Sequence, residues 1–482
     1  MRSHRAQMPG RVARPRFDQP PPPSPAARPY GLLPTPVPGR AEQAPATWVD
    51  AGFACIADAV AQVDAADVAA VGVSGQQHGC VVLDAARAPL RPAKLWCDTE
   101  TAPQAAALAA AWGCAVAPAL TAPKVAWLAE TEPATLAAAA HVVLPHDYVN
   151  YALTGELATD AGDASGTGYW DARAKAYDLS KAASIHPDLP SWLPPVLGPD
   201  AELGRVTAAA AAATGLPLGT PVSVGSGDNA CAALGVGAVT PGDWVVSLGT
   251  SGTLFGPSDA CPSDPTGAVA PFCDAAGGWL PLLCTLNCTL PPEDVRTAFG
   301  LSRDAAAAAA AAVPAGCGGV LFLPYLAGER TPDWPAASGA VIGLRPGTMA
   351  SPGVLYRAAL EGATLSLRAG LAALTASGAP AASLRVVGGG AASSLWRQIV
   401  ADAFQLPVLV PAETEAAALG AALQAAALAA GAPVREYVAA AAPPTVGAAV
   451  EPDPAAAAAY ESAAARFAAA GAALFGPGGA AL

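Results

Sequence analysis

A carboxylate in a glycine-bounded loop is the strongest candidate for a catalytic group. Asp228 lies in residues 225–230 (GSGDNA), directly after the apolar residues 222–224, which predict a buried strand. An alcohol that attacks a phosphoryl group needs an acceptor for its proton within hydrogen-bond reach, and a carboxylate at a rigid strand end suits that role. An aspartate at this position could instead cap the following helix, so both interpretations stay open on the residues alone.

Two glycine-containing segments could hold the phosphate groups of a nucleotide. Residues 249–252 (GTSG) separate two short apolar runs and predict a hairpin turn that exposes backbone N–H groups and two hydroxyls. Such groups bind phosphate oxygens without a formal charge. Residues 388–391 (GGGA) follow a predicted strand and precede a helix, where a nucleotide could lie near the helix N-terminus. Residues 388–391 match neither a Walker A loop nor the dinucleotide fingerprint, and an ordinary turn is the alternative for each segment.

A polar loop between two predicted strands has the side chains to bind a polyhydroxylated ligand. Residues 74–79 (SGQQHG) contain two amides and an imidazole, groups that donate and accept hydrogen bonds. Trp96 and Asp98 add an aromatic face and a carboxylate further along the chain. The structural alternatives are a packed histidine at His78 and a partly buried tryptophan at Trp96.

These candidate groups lie at the ends of predicted strands, in a pattern that alternates strands with helices. Apolar runs predict strands at residues 68–73, 80–83, 142–144, 222–224, 320–323, 384–387 and 408–410. Helical patterns lie at residues 105–112, 124–130 and 351–372, and another helix opens at Glu415. Such alternation indicates an α/β architecture. Pro241 and Gly242 separate two such series, so we predict a domain boundary there.

Composition argues against several functional classes. The net charge of −13 argues against nucleic acid or an anionic membrane surface as a partner. The longest apolar run, residues 416–430, is rich in alanine and is interrupted by Gln424, which argues against a membrane span. The ten cysteines form no C-x-x-C pair and the five histidines no H-E-x-x-H motif. We therefore predict reduced thiols in the cytoplasm and no zinc site.

Taken in order, these motifs resemble those of the FGGY carbohydrate kinases over residues 30 to about 467. The matching segments are GQQHG at 75–79, TAPKVAWL at 121–128, LPHDY at 144–148, TDAGDASGTGYWD at 159–171, GDNA at 227–230, SLGTSG at 247–252, LPYLAGERTP at 323–332, GGGAASSLWRQ at 388–398 and ETEAAALGAA at 413–422. The segment GQQHG resembles the family's sugar-binding loop, in the form found in the members that act on xylulose. One departure is Gly353, which lies where the family usually has a polar residue.

The resemblance implies a fold and a division of the chain. The family's fold consists of two actin-like (ribonuclease H-like) α/β domains with the active site in the cleft between them. We expect residues 30–240 to form the N-terminal sugar kinase domain and residues 241–482 to form the C-terminal nucleotide-binding domain. Residues 1–29, rich in arginine and proline, are expected to be a disordered or mistranslated leader.

The resemblance also implies roles for individual residues. Asp228 would accept the proton of the sugar hydroxyl, and the sugar would be bound by Gln77, His78 and Asn229. The phosphates of ATP would be contacted by Gly249, Thr250 and Ser251, and the adenosine would be bordered by Gly388, Gly389, Gly390 and Ala391. Mg²⁺ is implied because the transferring phosphoryl group needs charge neutralisation, and no metal ligand is assigned.

The expected reaction is the phosphorylation of D-xylulose by ATP to D-xylulose 5-phosphate and ADP, in the cytoplasm. The expected partners exclude nucleic acid and membrane, and a homodimer is left open. The alternatives are a kinase for another ketose or polyol, and a non-catalytic protein that binds a sugar or nucleotide. The family's first domain normally begins with an Asp-x-Gly-Thr hairpin, and residues 1–29 contain no such motif. We therefore expect the chain as written to be a poor kinase, since one of its two phosphate-binding turns is missing.

Overall fold

The structure, a computed structural model, describes residues 26–264, 268–376, 380–413 and 415–476 of the 482-residue chain. Most of the expected leader, residues 1–25, lies outside these described residues. The expectation about a missing hairpin rests mainly on that segment.

Short strands and longer helices alternate along the chain. The strands are β1 (Glu42–Gln43), β2 (Ser74–Gly75), β3 (Val81–Leu83), β4 (Ala93–Lys94), β5 (His141–Val143), β6 (Thr159–Asp160), β7 (Trp170–Asp171), β8 (Ala176–Tyr177), β9 (Val196–Leu197), β10 (Glu202–Arg205), β11 (Pro221–Ser223), β12 (Ser226–Gly227), β13 (Asp243–Leu248), β14 (Gly252–Phe255), β15 (Ala270–Cys273), β16 (Trp279–Thr285), β17 (Leu321–Leu323), β18 (Ala340–Ile342), β19 (Ser383–Val387) and β20 (Val408–Leu409). The α-helices are α1 (Pro45–Val60), α2 (Ala102–Trp112), α3 (Thr121–Thr131), α4 (Pro133–Ala137), α5 (Pro145–Thr154), α6 (Ala161–Ala164), α7 (Leu179–Ile185), α8 (Leu189–Trp192), α9 (Ala208–Thr214), α10 (Asp228–Gly235), α11 (Leu290–Ala298), α12 (Arg303–Ala311), α13 (Pro352–Ala376), α14 (Ser394–Phe404), α15 (Ala416–Ala430), α16 (Val434–Ala441) and α17 (Ala457–Phe475). Short 3₁₀ helices lie at Ala65–Asp67, Cys317–Gly319, Thr348–Ala350 and Gly389–Ala392.

The described residues form two compact units. Unit 1 is built from described residues of the segments Met1–Gly237, Ala275–Gly277 and Ala416–Pro443. Unit 2 is built from those of Ala238–Asp274, Gly278–Glu415 and Pro444–Leu482. The first junction lies three residues before the predicted boundary, and the helices α15 and α16 return to unit 1.

The strand ends of unit 1 are brought together by parallel pairing. Strand β2 pairs with β12, with Ser74 opposite Ser226 and Gly75 opposite Gly227. Because both strands run in the same direction, the loop at residues 76–79 after β2 and Asp228 after β12 leave the sheet at the same edge. The predicted strand at residues 68–73 is only partly formed, since its pairing is limited to Val71 opposite Val222 before β2 begins.

A six-stranded sheet forms the centre of unit 2, in the order β15–β16–β14–β13–β19–β20. The predicted hairpin is confirmed as β13 and β14, which are antiparallel with Leu248 opposite Gly252. Strands β13 and β19 are parallel, so that both predicted nucleotide segments follow adjacent strands at one sheet edge. Helix α13 packs on this sheet through Leu360, Leu367 and Leu374, whose seven-residue spacing places them on one helix face.

Helix α15 corresponds to the alanine-rich run of the sequence. Among the described residues, no single helix combines the length and the apolar character that a membrane crossing requires. The pair formed by α15 and α16, bent by 113° at its junction, passes that test on length and composition alone.

Candidate active site

Asp228 is the first residue of α10, and its carboxylate stands at the helix N-terminus. One oxygen, Oδ1, accepts hydrogen bonds from the backbone N of Asn229 at 2.7 Å and from Asn229 Nδ2 at 3.1 Å. The side chain reaches solvent, yet the surrounding protein removes much of its hydration. This desolvation, assisted by the negative charge of Asp163, raises the pKa of Asp228 to about 6. The carboxyl is therefore mostly ionised at neutral pH and close to the range in which a general base works well.

Asn229 connects Asp228 to the loop at residues 76–79. Its Nδ2 also donates to Oε1 of Gln77 at 2.9 Å, so that one amide group bonds both side chains. Gln77 is buried and lies against Gly227, where a Cβ would come within 2.5 Å of Gln77 Cγ. The structure thus brings together three residues predicted from two separate motifs. It also shows why glycine precedes Asp228: the glutamine fills the space of a side chain.

His78 lies in a loop held by two further motifs. Its φ is 66°, in the left-handed region that is costly for residues with a side chain and recurs at functional sites. The His78 carbonyl accepts a hydrogen bond from Thr121 Oγ1 at 3.2 Å, and a Cβ at Gly166 would overlap the imidazole ring. The backbone N of Ala122 donates to the Thr167 carbonyl at 2.8 Å. Three motifs that are far apart in the sequence therefore shape the position of one imidazole.

A buried charged network lies behind Asp228, and the sequence motifs had assigned it no role. His146 Nδ1 lies 2.6 Å from Asp163 Oδ2, and Asp160 Oδ2 accepts a hydrogen bond from Ser226 Oγ at 2.7 Å. Burial by itself lowers the pKa of His146, but the charges of Asp147, Asp163 and Asp160 raise it to about 10. These carboxylates therefore favour the protonated form of the imidazole. The available signal was the Asp160-x-x-Asp163 spacing, in which Asp160 caps helix α6.

Asp98 is not accessible to a sugar, so the expectation for this residue was wrong. Its side chain is fully buried and accepts hydrogen bonds from the backbone N of Ala41 at 2.9 Å and from Lys94 Nζ at 3.1 Å. The carboxylate is used to neutralise a buried lysine, because an unpaired buried ammonium would be costly. Trp96, by contrast, is 54% exposed, and its contact with a sugar stays a prediction.

The turn between β13 and β14 in unit 2 presents Thr250 and Ser251 to solvent. The carbonyl of Gly249 accepts from the backbone N of Thr289, and the carbonyl of Thr250 accepts from that of Cys288, both at 3.0 Å. In a trans peptide the N–H points opposite to the carbonyl of the preceding residue. The amides of Thr250 and Ser251 therefore point away from residues 288–289, an orientation suited to binding an anion.

The GGGA segment follows β19 beside this turn. Gly388 has a φ of +85°, and a Cβ there would lie 2.9 Å from the carbonyl of Leu248, the last residue of β13. Gly388 and Gly389 are exposed, whereas Gly390 and Ala391 are buried. The exposed pair is accessible to a ligand, and the buried pair supports it from within unit 2.

A buried carboxylate of unit 2 fixes the segment that holds the turn. Glu329 is 1% exposed and accepts from the backbone N of Leu286 at 2.6 Å and from that of Arg330 at 2.7 Å. Asn287 Nδ2 donates to Glu329 Oε2 at 3.2 Å and to the Gly328 carbonyl at 2.7 Å. In the sequence Glu329 is only one residue of the motif at 323–332, and its contacts with residues 286–287 leave no signal in residue spacing.

The fold, the residues around Asp228 in unit 1 and the two glycine-containing turns in unit 2 define a two-domain sugar kinase of the actin-like class. Residues 30–235 match the family model described as "FGGY family of carbohydrate kinases, N-terminal domain", and residues 244–429 match the corresponding C-terminal domain. The chain belongs to the FGGY family of carbohydrate kinases, and the predicted fold class and enzyme class are confirmed.

Individual relatives support this assignment. The chain is 46% identical over 402 residues to a protein named xylulose kinase from Streptomyces coelicolor, covering 80% of this chain and 79% of that protein. It is 36% identical over 405 residues to xylulose kinase from Haemophilus influenzae, covering 80% and 82% of the two chains. The solved structure of xylulose kinase from Rhodospirillum rubrum is 32% identical with a TM-score of 0.86, covering 93% of each chain.

Proposed function

We propose that the chain transfers the γ-phosphoryl group of ATP to the primary hydroxyl of D-xylulose and forms D-xylulose 5-phosphate and ADP. The observation that carries the proposal is the position of Asp228, an accessible carboxylate with a pKa of about 6, joined through Asn229 to Gln77. The choice of sugar is supported by the relatives named xylulose kinase at 46% and 36% identity.

In the proposed reaction the sugar hydroxyl oxygen forms a bond to the γ-phosphorus of ATP. The bond between that phosphorus and the oxygen bridging to the β-phosphate breaks, and ADP leaves with the electron pair. The hydroxyl proton passes to a carboxylate oxygen of Asp228. A positioned base of this kind contributes roughly 10²–10⁴-fold to the rate.

The remaining predicted residues have defined tasks in this proposal. The sugar hydroxyls bond to Gln77, His78 and Asn229 in unit 1. In unit 2 the phosphates of ATP bond to Gly249, Thr250 and Ser251, and the adenosine lies along Gly388 and Gly389, with Gly390 and Ala391 beneath them. Exposure of Thr250, Ser251, Gly388 and Gly389 supports these tasks.

Mg²⁺ bound to the phosphates of ATP would neutralise part of their negative charge. In the part of the chain that the structure describes, no three His, Cys, Asp or Glu side chains are grouped as for a metal ion. We assign no protein ligand to Mg²⁺, and the acidic chain makes charge neutralisation on the nucleotide itself valuable.

We also propose that the protein works in the cytoplasm. All ten cysteines lie within the described residues and none of them is joined in a disulfide, as is usual in a reducing compartment. The homodimer stays a prediction.

The test is a substrate panel with coupled detection of ADP. D-xylulose, D-ribulose, glycerol and gluconate are compared at matched ATP and Mg²⁺ concentrations, and phosphorus NMR identifies the phosphorylated carbon. The largest kcat/KM is expected for D-xylulose, with the phosphate on C5. A larger kcat/KM for any other sugar or polyol, or no turnover above background, would contradict the proposal.

A further inference from the structure

Gln424 is the polar residue that interrupts the alanine-rich helix α15, and no catalytic motif accounts for it. Its side chain is 1% exposed. Its Oε1 accepts a hydrogen bond from the backbone N of Gly225 at 2.9 Å, and its Nε2 lies 3.5 Å from the Gly225 carbonyl. One side-chain amide thus binds both backbone groups of a glycine that precedes Asp228 by three residues.

Gly225 lies where the strand leading to Asp228 departs from regular pairing. Val71 pairs with Val222, but Ser74 pairs with Ser226, so the second strand contains one extra residue over this stretch. That extra residue forms a bulge, and Gly225 has a φ of +74° there. A bulge lacks the regular partners of a sheet, and a buried backbone N–H needs another acceptor. Gln424 supplies that acceptor from a distant part of the chain.

The position of Gln424 is set by a close crossing of α15 and α10. A Cβ at Gly420 would overlap the carbonyl of Cys231, and a Cβ at Gly235 would overlap that of Ala416. The two backbones therefore touch, and larger residues would separate the helices. Residues four apart lie on the same face of a helix, so this crossing also directs Gln424 towards Gly225.

The residues on either side of Gly225 are held by other side chains. Asn150 Nδ2 donates to the Val224 carbonyl at 2.8 Å, and Ser226 Oγ donates to Asp160 at 2.7 Å. Helix α15 thus contacts α10 at its glycines and holds the bulge that leads into the first residue of α10. A change at Gln424 would release the bulge while leaving these neighbouring bonds in place.

We propose that Gln424 is a positioning residue for the proton acceptor. Its amide fixes the bulge at Gly225 and, through residues 226–227, the place of the Asp228 carboxylate. This role rests on the proposed function, in which Asp228 receives the proton of the sugar hydroxyl. Misplacement of a catalytic group by about 1 Å can cost on the order of 100-fold in rate.

The first test is a double-mutant cycle. Gln424→Met keeps the side-chain volume and removes both polar contacts, and is expected to lower kcat by about 10- to 100-fold. The KM for D-xylulose is expected to change less than about threefold, because Gln77 and His78 are untouched. In the Asp228→Asn background the same substitution is expected to cause almost no further loss, since its effect acts through Asp228. An equal loss in both backgrounds, or a rise in KM at unchanged kcat, would overturn the proposal.

A second measurement does not depend on turnover. It therefore distinguishes failure of the proposed kinase function from failure of the proposed role of Gln424. Hydrogen exchange, followed by mass spectrometry on a peptide covering residues 222–230, is expected to quicken in Gln424→Met. Gln62→Met is the matched control, because Gln62 is an exposed residue just after α1 whose side-chain amide donates to the Asp58 carbonyl of that helix. Unchanged exchange at residues 222–230 would refute the contact even in an inactive chain.

Gln424→Glu serves as the conservative variant, and it keeps the assignment testable if the methionine variant folds poorly. Burial raises the pKa of the introduced carboxyl, so its protonated form has the same donor and acceptor pattern as the amide. Its loss of kcat is expected to be smaller than that of Gln424→Met. A loss as large as that of the methionine variant would contradict a role for the Gly225 contacts.

Discussion

The raised pKa of Asp228 predicts how the rate depends on pH. Because desolvation raises this pKa from 3.8 to about 6, the carboxylate that must accept the proton is lost as the pH falls through 6. At pH 5 about 10% of Asp228 would be ionised, whereas an aspartate with the ordinary pKa would be about 90% ionised. The kcat/KM for the sugar is therefore expected to fall about tenfold between pH 8 and pH 5.

The assay is ADP release at saturating ATP, with D-xylulose well below its KM, from pH 5 to pH 8.5. The phosphate groups of ATP also titrate near this range, so a variant is used to separate their titration from that of Asp228. Asp163→Asn removes a negative charge that raises the pKa of Asp228, and the midpoint is expected to move to lower pH. A midpoint near 4, or one that stays unchanged in Asp163→Asn, would refute the assignment of the titrating group to Asp228.

Three further predictions concern the ligand contacts and their support. Gly249→Val should weaken ATP binding at least about tenfold by calorimetry. The chain is expected to stay folded, because a Cβ at this position meets only the Ser251 carbonyl, at 3.2 Å. Unchanged affinity for ATP would exclude the turn from the nucleotide site. His78→Ala should raise the KM for D-xylulose by more than the KM for ATP, and an effect confined to ATP would exclude His78 from the sugar site. Asn287→Ala should lower stability by about 1–3 kcal/mol, since it leaves the carbonyl of Gly328 without its amide donor; an unchanged denaturation midpoint would contradict this.

The sequence was most informative for candidate functional residues that lie directly after a predicted strand. Asp228 and Gln77 could be predicted as neighbours in function because each follows a short apolar run, and parallel pairing of β2 with β12 does bring them together. The same reasoning held for the hairpin turn at Gly249 and for Gly388, which follow the parallel strands β13 and β19. In these cases local pattern and sheet topology agree.

The sequence was least informative where a contact joins distant segments. Gln424 looked like an interruption of an apolar run, and only the return of α15 to unit 1 shows its contact with Gly225, 199 residues earlier. The prediction that Asp98 contacts a sugar was wrong for a related reason. Its type and loop position fit a sugar ligand, but the buried ammonium of Lys94 lies 3.1 Å away and decides its role. Burial and pairing of this kind depend on tertiary structure and leave no periodic signal.

The proton-acceptor role of Asp228 is tested most directly by comparing Asp228→Asn with the parent chain in ADP release with D-xylulose. Asp304→Asn is the matched control, because Asp304 is an exposed aspartate in the first turn of α12. Asp228→Asn is expected to lose roughly 10²–10⁴-fold in kcat, while calorimetry shows sugar binding largely intact and the control keeps the parent's rate. Turnover of D-xylulose by Asp228→Asn at the parent's rate would contradict the account.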